Sequence, residues 1–325
     1  MSDLVRAAIA GEATPRPPYA FWTHYPETDL DPDAIARETI AFARATRQDF
    51  VKSMPNGLYC VEDWGVRADY SEIAQGGAAQ VVESPILTPE DWRAIRRLDP
   101  TAGTLGRELK HLSLLVDALG GDVPVLATVF SPVTIAKKLS GGAFAAHARS
   151  HRALVRAALD EIAATTADFA ARAIALGCAG AFFAVQDATA TLGAPAWSEL
   201  GMDHDLAALQ GAREGWFNVV HMHGDDILFD LLTTYPVHVL NWHVGETEPG
   251  IAGYRAAGGT KPVLGGLRRT PITRRDMAAV QADLDAALST DRGRGVLLSP
   301  GCVIRHPVDL DILKAIAARI RGEDS

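Results

Sequence analysis

The segment Asn218-Val-Val-His-Met-His-Gly-Asp-Asp226 closes an apolar run with two histidines, His221 and His223. Side chains two apart on a strand point to the same side, so both imidazoles project together from the strand's end. Far along the chain, Ser299-Pro-Gly-Cys302 closes another apolar run with a cysteine. Imidazole nitrogen and thiolate sulfur suit a borderline-soft ion such as Zn2+, and three protein ligands leave a fourth position for substrate. The same residues also fit hydrogen-bonded rim histidines and a small buried thiol.

Other polar groups close apolar runs in the same way. Asn241 and His243 end "VHVLNWHV" (237–244), with Glu246 a turn later. A carboxylate beside a histidine orients it as a metal ligand, or simply caps a strand end. Asp187 ends "GAFFAVQD" (180–187), and Glu62 with Asp63 forms an acidic pair in "YCVEDWG". These carboxylates could position substrate or act as a base, or could sit in solvated turns. Lys52 offers a point charge to a carboxylate, or snorkels outward. Arg268 and Arg269 in "GGLRRTP" could hold phosphate at a helix start, or lie on the surface. His24, Asn56, Ser131 and Gln186 complete the set of polar chain positions at run ends.

Eight apolar runs carry these groups: 19–24, 49–54, 123–131, 180–187, 218–223, 237–244, 261–267 and 295–302. Most are continuous rather than alternating, as in strands buried on both faces. Helix-like stretches lie between them. One follows Asp31-Pro32, one spans 144–177, one starts at Thr270-Pro271, and one runs from Pro307 to Gly322. The pattern predicts an α/β chain forming a single (β/α)8 TIM barrel over residues 1–325, whose chemistry gathers at the strands' C-terminal ends. A doubly wound sheet is the alternative, weakened by the lack of a Gly-rich turn after the first strand. The excess between the second and third strands, Pro55 to Asp122, predicts an elaborated connection. Residues 1–18 read as a helical turn or two and a Pro-rich lead-in.

Composition removes several classes of function. A net charge of −9 argues against a protein that tracks nucleic-acid phosphates. No apolar run approaches the roughly 20 residues of a membrane span, and the first residues lack a secretory apolar core. The cysteines, Cys60, Cys178 and Cys302, are odd in number and widely spaced, which fits a reducing cytoplasm.

Three segments together resemble the uroporphyrinogen decarboxylase superfamily: "FSPVTIAKKLSGG" (130–142), "VVHMHGDD" (219–226) and "LSPGCVIRHPVDLDILKAI" (298–316). The resemblance runs over nearly the whole chain and implies a (β/α)8 barrel. Decarboxylases of this superfamily carry an Arg-rich N-terminal segment for an octacarboxylate, whereas here the stretch is "FWTHYPETD" (21–29), with two acids and no arginine. They also close with an "NLGHG"-like turn where this chain has "SPGC".

The chain is more similar to the zinc-dependent branch, which moves methyl groups between a corrinoid protein and a thiol such as coenzyme M. Matching its His-x-Cys and Pro-Gly-Cys motifs implies His221, His223 and Cys302 as ligands, with histidine standing where the branch has its first cysteine. The expected activity is zinc-dependent alkyl transfer to a thiol or similar nucleophile, with Asp187, Asn241 and His243 positioning substrate and Glu62 or Asp63 near the opening. A corrinoid would arrive on a separate protein, and a homodimer is the expected assembly. A metal-free decarboxylase, a zinc-dependent lyase or hydrolase, and a non-catalytic tetrapyrrole-binding protein are the alternatives.

Overall fold

The structure, a computed structural model, describes residues 1–71 and 79–323. Among the described residues nine strands form: β1 (Val51–Lys52), β2 (Arg67–Asp69), β3 (Gln80–Glu83), β4 (Val125–Phe130), β5 (Gly180–Val185), β6 (Val219–Met222), β7 (Val239–Trp242), β8 (Val263–Leu267) and β9 (Val296–Pro300). Seven make one sheet in the order β1-β4-β5-β6-β7-β8-β9, every neighbouring pair parallel. Each lies inside one of the apolar runs, and every residue of these seven strands is buried, as expected for a parallel sheet covered on both faces.

The helices are α1 (Ser2–Ile9), α2 (Pro32–Ala45), α3 (Gly103–Leu119), α4 (Pro132–Ser140), α5 (Phe144–Ser150), α6 (Arg152–Ala175), α7 (Ala194–Trp197), α8 (Asp203–Leu209), α9 (Phe229–Leu232), α10 (Ile251–Ala256), α11 (Arg269–Thr273), α12 (Met277–Leu288) and α13 (Leu310–Arg321). Asp31 caps α2 as expected, accepting from the amides of Asp33 and Ala34. The long helix expected over 144–177 is broken at His151, whose φ of −135° is not helical. The stretch from Thr270 likewise splits, because Arg275 takes a φ of 57° and Asp276 caps a fresh helix at Ala279. Elaboration between the second and third expected strands is present as the β2–β3 antiparallel ribbon, two short 3-10 segments and α3.

The sheet has seven regular strands rather than the expected eight. The first expected strand, 19–24, touches its neighbours only at isolated points, Tyr19 with Leu298 and Thr23 with Ile304. Pro17 and Pro18 remove two backbone donors at its start, which limits regular pairing there. The segment still lies in the seam: Leu298 donates to Pro18 at 2.8 Å, Ala20 to Leu298 at 3.1 Å, and Asp49 to Tyr19 at 3.0 Å.

Curling of the sheet follows from its inner cluster. Phe50, Leu126, Phe182, Val219, Val239, Leu264 and Leu297, one from each strand or its lead-in, pack together with Ala20 and Trp22. Phe50 and Phe217 stand 5.1 Å apart although β4 and β5 separate their strands in the sheet order. The alternate residues, such as Val51, Val220, Leu240 and Val296, face the larger cluster that includes the helices. At the strands' N-terminal end, Val5 and Ala8 of α1 enter the inner cluster, and the Arg6 guanidinium stacks 3.6 Å over Trp216. Among the described residues no helix is long and apolar enough to cross a membrane.

Candidate metal centre

Period-two alternation builds the site. Val219, His221 and His223 share one side of β6 and its extension, and Val239, Asn241 and His243 share the matching side of β7. The parallel register sets His221 beside Asn241. From the far side of the sheet, the turn after β9 delivers Cys302. Its sulfur lies 3.8 Å from His221 Nε2 and 3.7 Å from His223 Nδ1. With His243, one donor atom from each of the four residues falls within 4.8 Å of all the others.

These spacings match a ligand set better than a hydrogen-bond set. Zn–N near 2.05 Å and Zn–S near 2.3 Å give a tetrahedral N···S edge of about 3.6 Å. The His243 Nε2 is buried with no hydrogen-bond partner, an expensive state for a polar atom unless something binds it. The donor set is that of a borderline-soft ion. The residues present therefore fit a zinc-type ion.

Asn241 sets the orientation of His221. Its amide nitrogen donates to the Leu264 carbonyl at 2.7 Å, and a carbonyl only accepts, so its oxygen is turned to His221 Nδ1, with which it hydrogen-bonds. His221 must then carry its proton on Nδ1 and present the Nε2 lone pair toward Cys302. Phe182 stacks on the same imidazole at 5.2 Å, fixing the ring plane.

The electrostatics keep the histidines neutral. Burial lowers the pKa of His221 well below its ordinary value, and the neighbouring His223 and His243 lower it further. Burial also lowers His223, aided by Arg269. His243 falls to about 4, through burial and then His223. Burial pushes the Cys302 thiol upward, only partly countered by the Val303 amide, Arg269 and Lys52. Cys60 and Cys178 are buried elsewhere and pushed up to about 12, so neither is a reactive thiol.

A cavity of about 210 Å3 opens beside the cluster, walled by Trp22, Met54, Phe130, Phe182 and Val303, with His221, His223 and Cys302 at one side. His24, Lys52 and Gln186 also line it, as their places at run ends anticipated.

The other expected site residues are not brought to this point. Asp187 is paired with Lys137, near enough to His223 to act on its charge but outside the four-residue cluster. Glu62 hydrogen-bonds Tyr70 and pairs with Arg107 at 3.3 Å, and it does not line the cavity. Asp63 accepts from the amides of Thr104 and Leu105 at the start of α3. Arg268 is held by Asp283 and Arg269 by Glu246, so neither is a free phosphate anchor. Sequence reasoning assigned His243 a substrate-positioning role; the structure gathers it into one cluster with His221, His223 and Cys302. Its signal was the same two-residue spacing in Asn241-Trp-His243 as in His221-Met-His223.

The chain belongs to the uroporphyrinogen decarboxylase (URO-D) family, which it matches over residues 2–322. No curated protein matches it in sequence. Among solved structures it is similar to a methyltransferase from Methanosarcina mazei, with a TM-score of 0.85 and 18% identity over 98% of this chain and 97% of that one. It is also similar to a B12-independent methionine synthase from Shewanella sp. W3-18-1 in complex with selenomethionine (TM-score 0.58, 14% identity, 96% of each chain). A putative vitamin-B12-independent methionine synthase from Listeria monocytogenes follows, with a TM-score of 0.51 and 10% identity over 90% of this chain and 87% of that one. At these identities the likeness is one of fold.

Proposed function

We propose that the protein is a zinc-dependent alkyl transferase, most simply a methyltransferase, whose acceptor is a thiol or a similarly soft nucleophile. The observation that carries this reading is the His221, His223, His243 and Cys302 cluster opening on an apolar cavity. Methyl transfer is also what the names of the similar structures describe, and it enters here as support for the proposal.

His221, His223 and Cys302 would hold the ion, with His243 as the fourth ligand or the ligand that yields to substrate. A zinc ion there supplies Lewis acidity, which favours the deprotonated form of a thiol at neutral pH. Asn241 keeps the His221 Nε2 lone pair aimed at the centre. Phe182, Trp22 and Phe130 exclude water from the space where the sulfur would meet the methyl carbon. In that step the sulfur–carbon bond forms as the carbon–donor bond breaks, and the donor leaves with the electron pair. The thiol proton goes to solvent, because His24, pushed down to about 4 chiefly by burial, is too weak a base to hold it at pH 7.

A methyl donor carried by a separate corrinoid protein, a homodimer and a cytoplasmic setting are further parts of this proposal. Porphyrinogen decarboxylation is disfavoured by charge. Among the described residues Lys52 is the one lysine or arginine lining the cavity, a poor match for an octa-anion.

Elemental analysis tests the reading. Wild-type protein should contain about one zinc per chain, and Cys302→Ser should lose most of it. Wild-type protein that takes up no zinc even when supplied would rule the proposal out.

A further inference from the structure

Asp205, on α8, is a carboxylate sealed in the core behind the cavity wall. It is fully buried, and so are the three side chains that form its network, Ser131, Tyr235 and Trp197. Tyr235 donates its O–H to Asp205 Oδ2 at 2.7 Å and accepts from Trp197 Nε1 at 3.1 Å. Gly201 leaves room for that indole, since a Cβ there would come within 2.5 Å of the ring. Ser131 Oγ lies 2.7 Å from Asp205 Oδ1. A hydroxyl accepts as well as donates, so the carboxyl can keep both contacts after taking up a proton.

The neighbouring charges are all committed elsewhere. His204, next in the chain, places Nδ1 on the Leu200 carbonyl at 2.7 Å and Nε2 on Asp160 of α6 at 3.2 Å. On α6, Arg156 pairs with Asp203 at 3.6 Å and Arg152 pairs with Glu199. On α4, Lys137 pairs with Asp187, and Lys138 lies 5.3 Å over the Phe130 ring. Lys261 reaches the Tyr235 segment but donates to the backbone carbonyls of Thr233 and Tyr235. Among the described residues no cation pairs with Asp205, and an ionised carboxylate buried in that way is costly. Burial raises the carboxyl to about 7, partly countered by the Ser131 and Tyr235 hydroxyls.

The network fastens three segments that are distant in sequence. Ser131 joins β4 to α4, Asp205 and Trp197 belong to the helices after β5, and Tyr235 precedes β7. The first of these walls the cavity: Phe130 lines it, and Thr134 of α4 accepts from the amide of Gln186, another lining residue, at 3.1 Å.

We propose that Asp205 is a pH-operated latch: its protonated carboxyl holds the three segments together, and loss of the proton loosens α4 and α8 and with them the Phe130–Gln186 side of the cavity. The inference is independent of the metal reading, since none of the latch groups belongs to the His/Cys cluster.

The folded chain holds this proton more tightly than the unfolded one. The stability it contributes is therefore complete below about pH 4 and is lost as pH rises through about 7. Thermal unfolding from pH 5 to pH 8 tests this against Asp205→Asn, which keeps the shape without the charge. Relative to that variant, the wild-type midpoint should fall by about 5 °C over the range. Hydrogen exchange, corrected for intrinsic rates, should show residues 131–140 and 203–209 losing about ten-fold in protection in wild type and none in the variant. Ser131→Ala removes a donor to the charged form and should move the fall to higher pH, whereas a merely structural serine would lower the midpoint equally at every pH.

Parallel midpoint profiles for wild type and Asp205→Asn would overturn the proposal. So would a loss of protection spread evenly over the chain. If Asp205→Asn does not fold, exchange in wild type and the Ser131→Ala profile decide: a fall that Ser131→Ala leaves at the same pH sinks the latch.

Discussion

Proton bookkeeping at the cluster is the first consequence of its burial. His221, His223 and His243 all have lowered pKa values, so at pH 7 they are already neutral and release no protons to a metal. Cys302 is raised and still carries its proton, which the ion must displace. Zinc binding at pH 7 should therefore release about one proton per chain, and affinity should rise with pH until the free thiol titrates. Calorimetry in buffers of different ionisation enthalpy measures this, and a value near zero would remove Cys302 from the ligand set. Asn241→Ala frees the His221 tautomer and should weaken zinc binding about 10- to 100-fold in chelator competition. An unchanged affinity would mean that Asn241 serves the strand pair alone.

Between elements, the position of Cys302 depends on how closely the turn after β9 approaches the end of β7. A Cβ at Gly301 would come within 2.7 Å of His243 Cα and 2.9 Å of the Trp242 carbonyl oxygen, both backbone. Neither can rotate away, so Gly301→Ala must push the turn outward and carry the sulfur with it. Zinc content should fall well below that of wild type while circular dichroism stays near the wild-type signal. Retained stoichiometry would show that the turn gives way without moving the sulfur. This contact explains the glycine in Pro-Gly-Cys, and it has no local signature: no turn rule for residues 299–302 refers to β7. The strands were legible because each is a continuous apolar run ending in a polar group. The missing eighth strand was not, since apolar character at 19–24 reports burial and says nothing about whether Pro17 and Pro18 allow regular pairing.

At the scale of the whole molecule, α1 and the His/Cys cluster occupy opposite ends of the sheet. Val5 and Ala8 are fully or almost fully buried in the inner cluster, next to Phe50 and Phe217 at the strands' N-terminal ends. Deleting residues 1–10 should cost about 3 kcal/mol from lost apolar burial, and about 5 °C of thermal midpoint. Zinc stoichiometry at low temperature should remain that of the full chain. A large loss of zinc on this deletion would mean that the two ends are coupled through the inner cluster.

The sequence by itself determined the parallel α/β architecture, the family, and the candidates His221, His223 and Cys302, because continuous apolar runs, a two-residue histidine spacing and the Pro-Gly-Cys turn are local patterns. Burial of Lys52 with no carboxylate partner among the described residues, the orphaned His243 nitrogen and the withdrawal of Glu62 and Asp187 into ion pairs were decided only by the tertiary structure. Each depends on which side chains from distant segments meet at the strands' C-terminal end. Carboxylates illustrate the difference. Glu62 and Asp187 were reasonable catalytic candidates by position, but Arg107 and Lys137, 45 and 50 residues away in the chain, neutralise them in space. A residue's type and neighbours in sequence set what chemistry it can do, while its partners in space determine whether it remains free to do it.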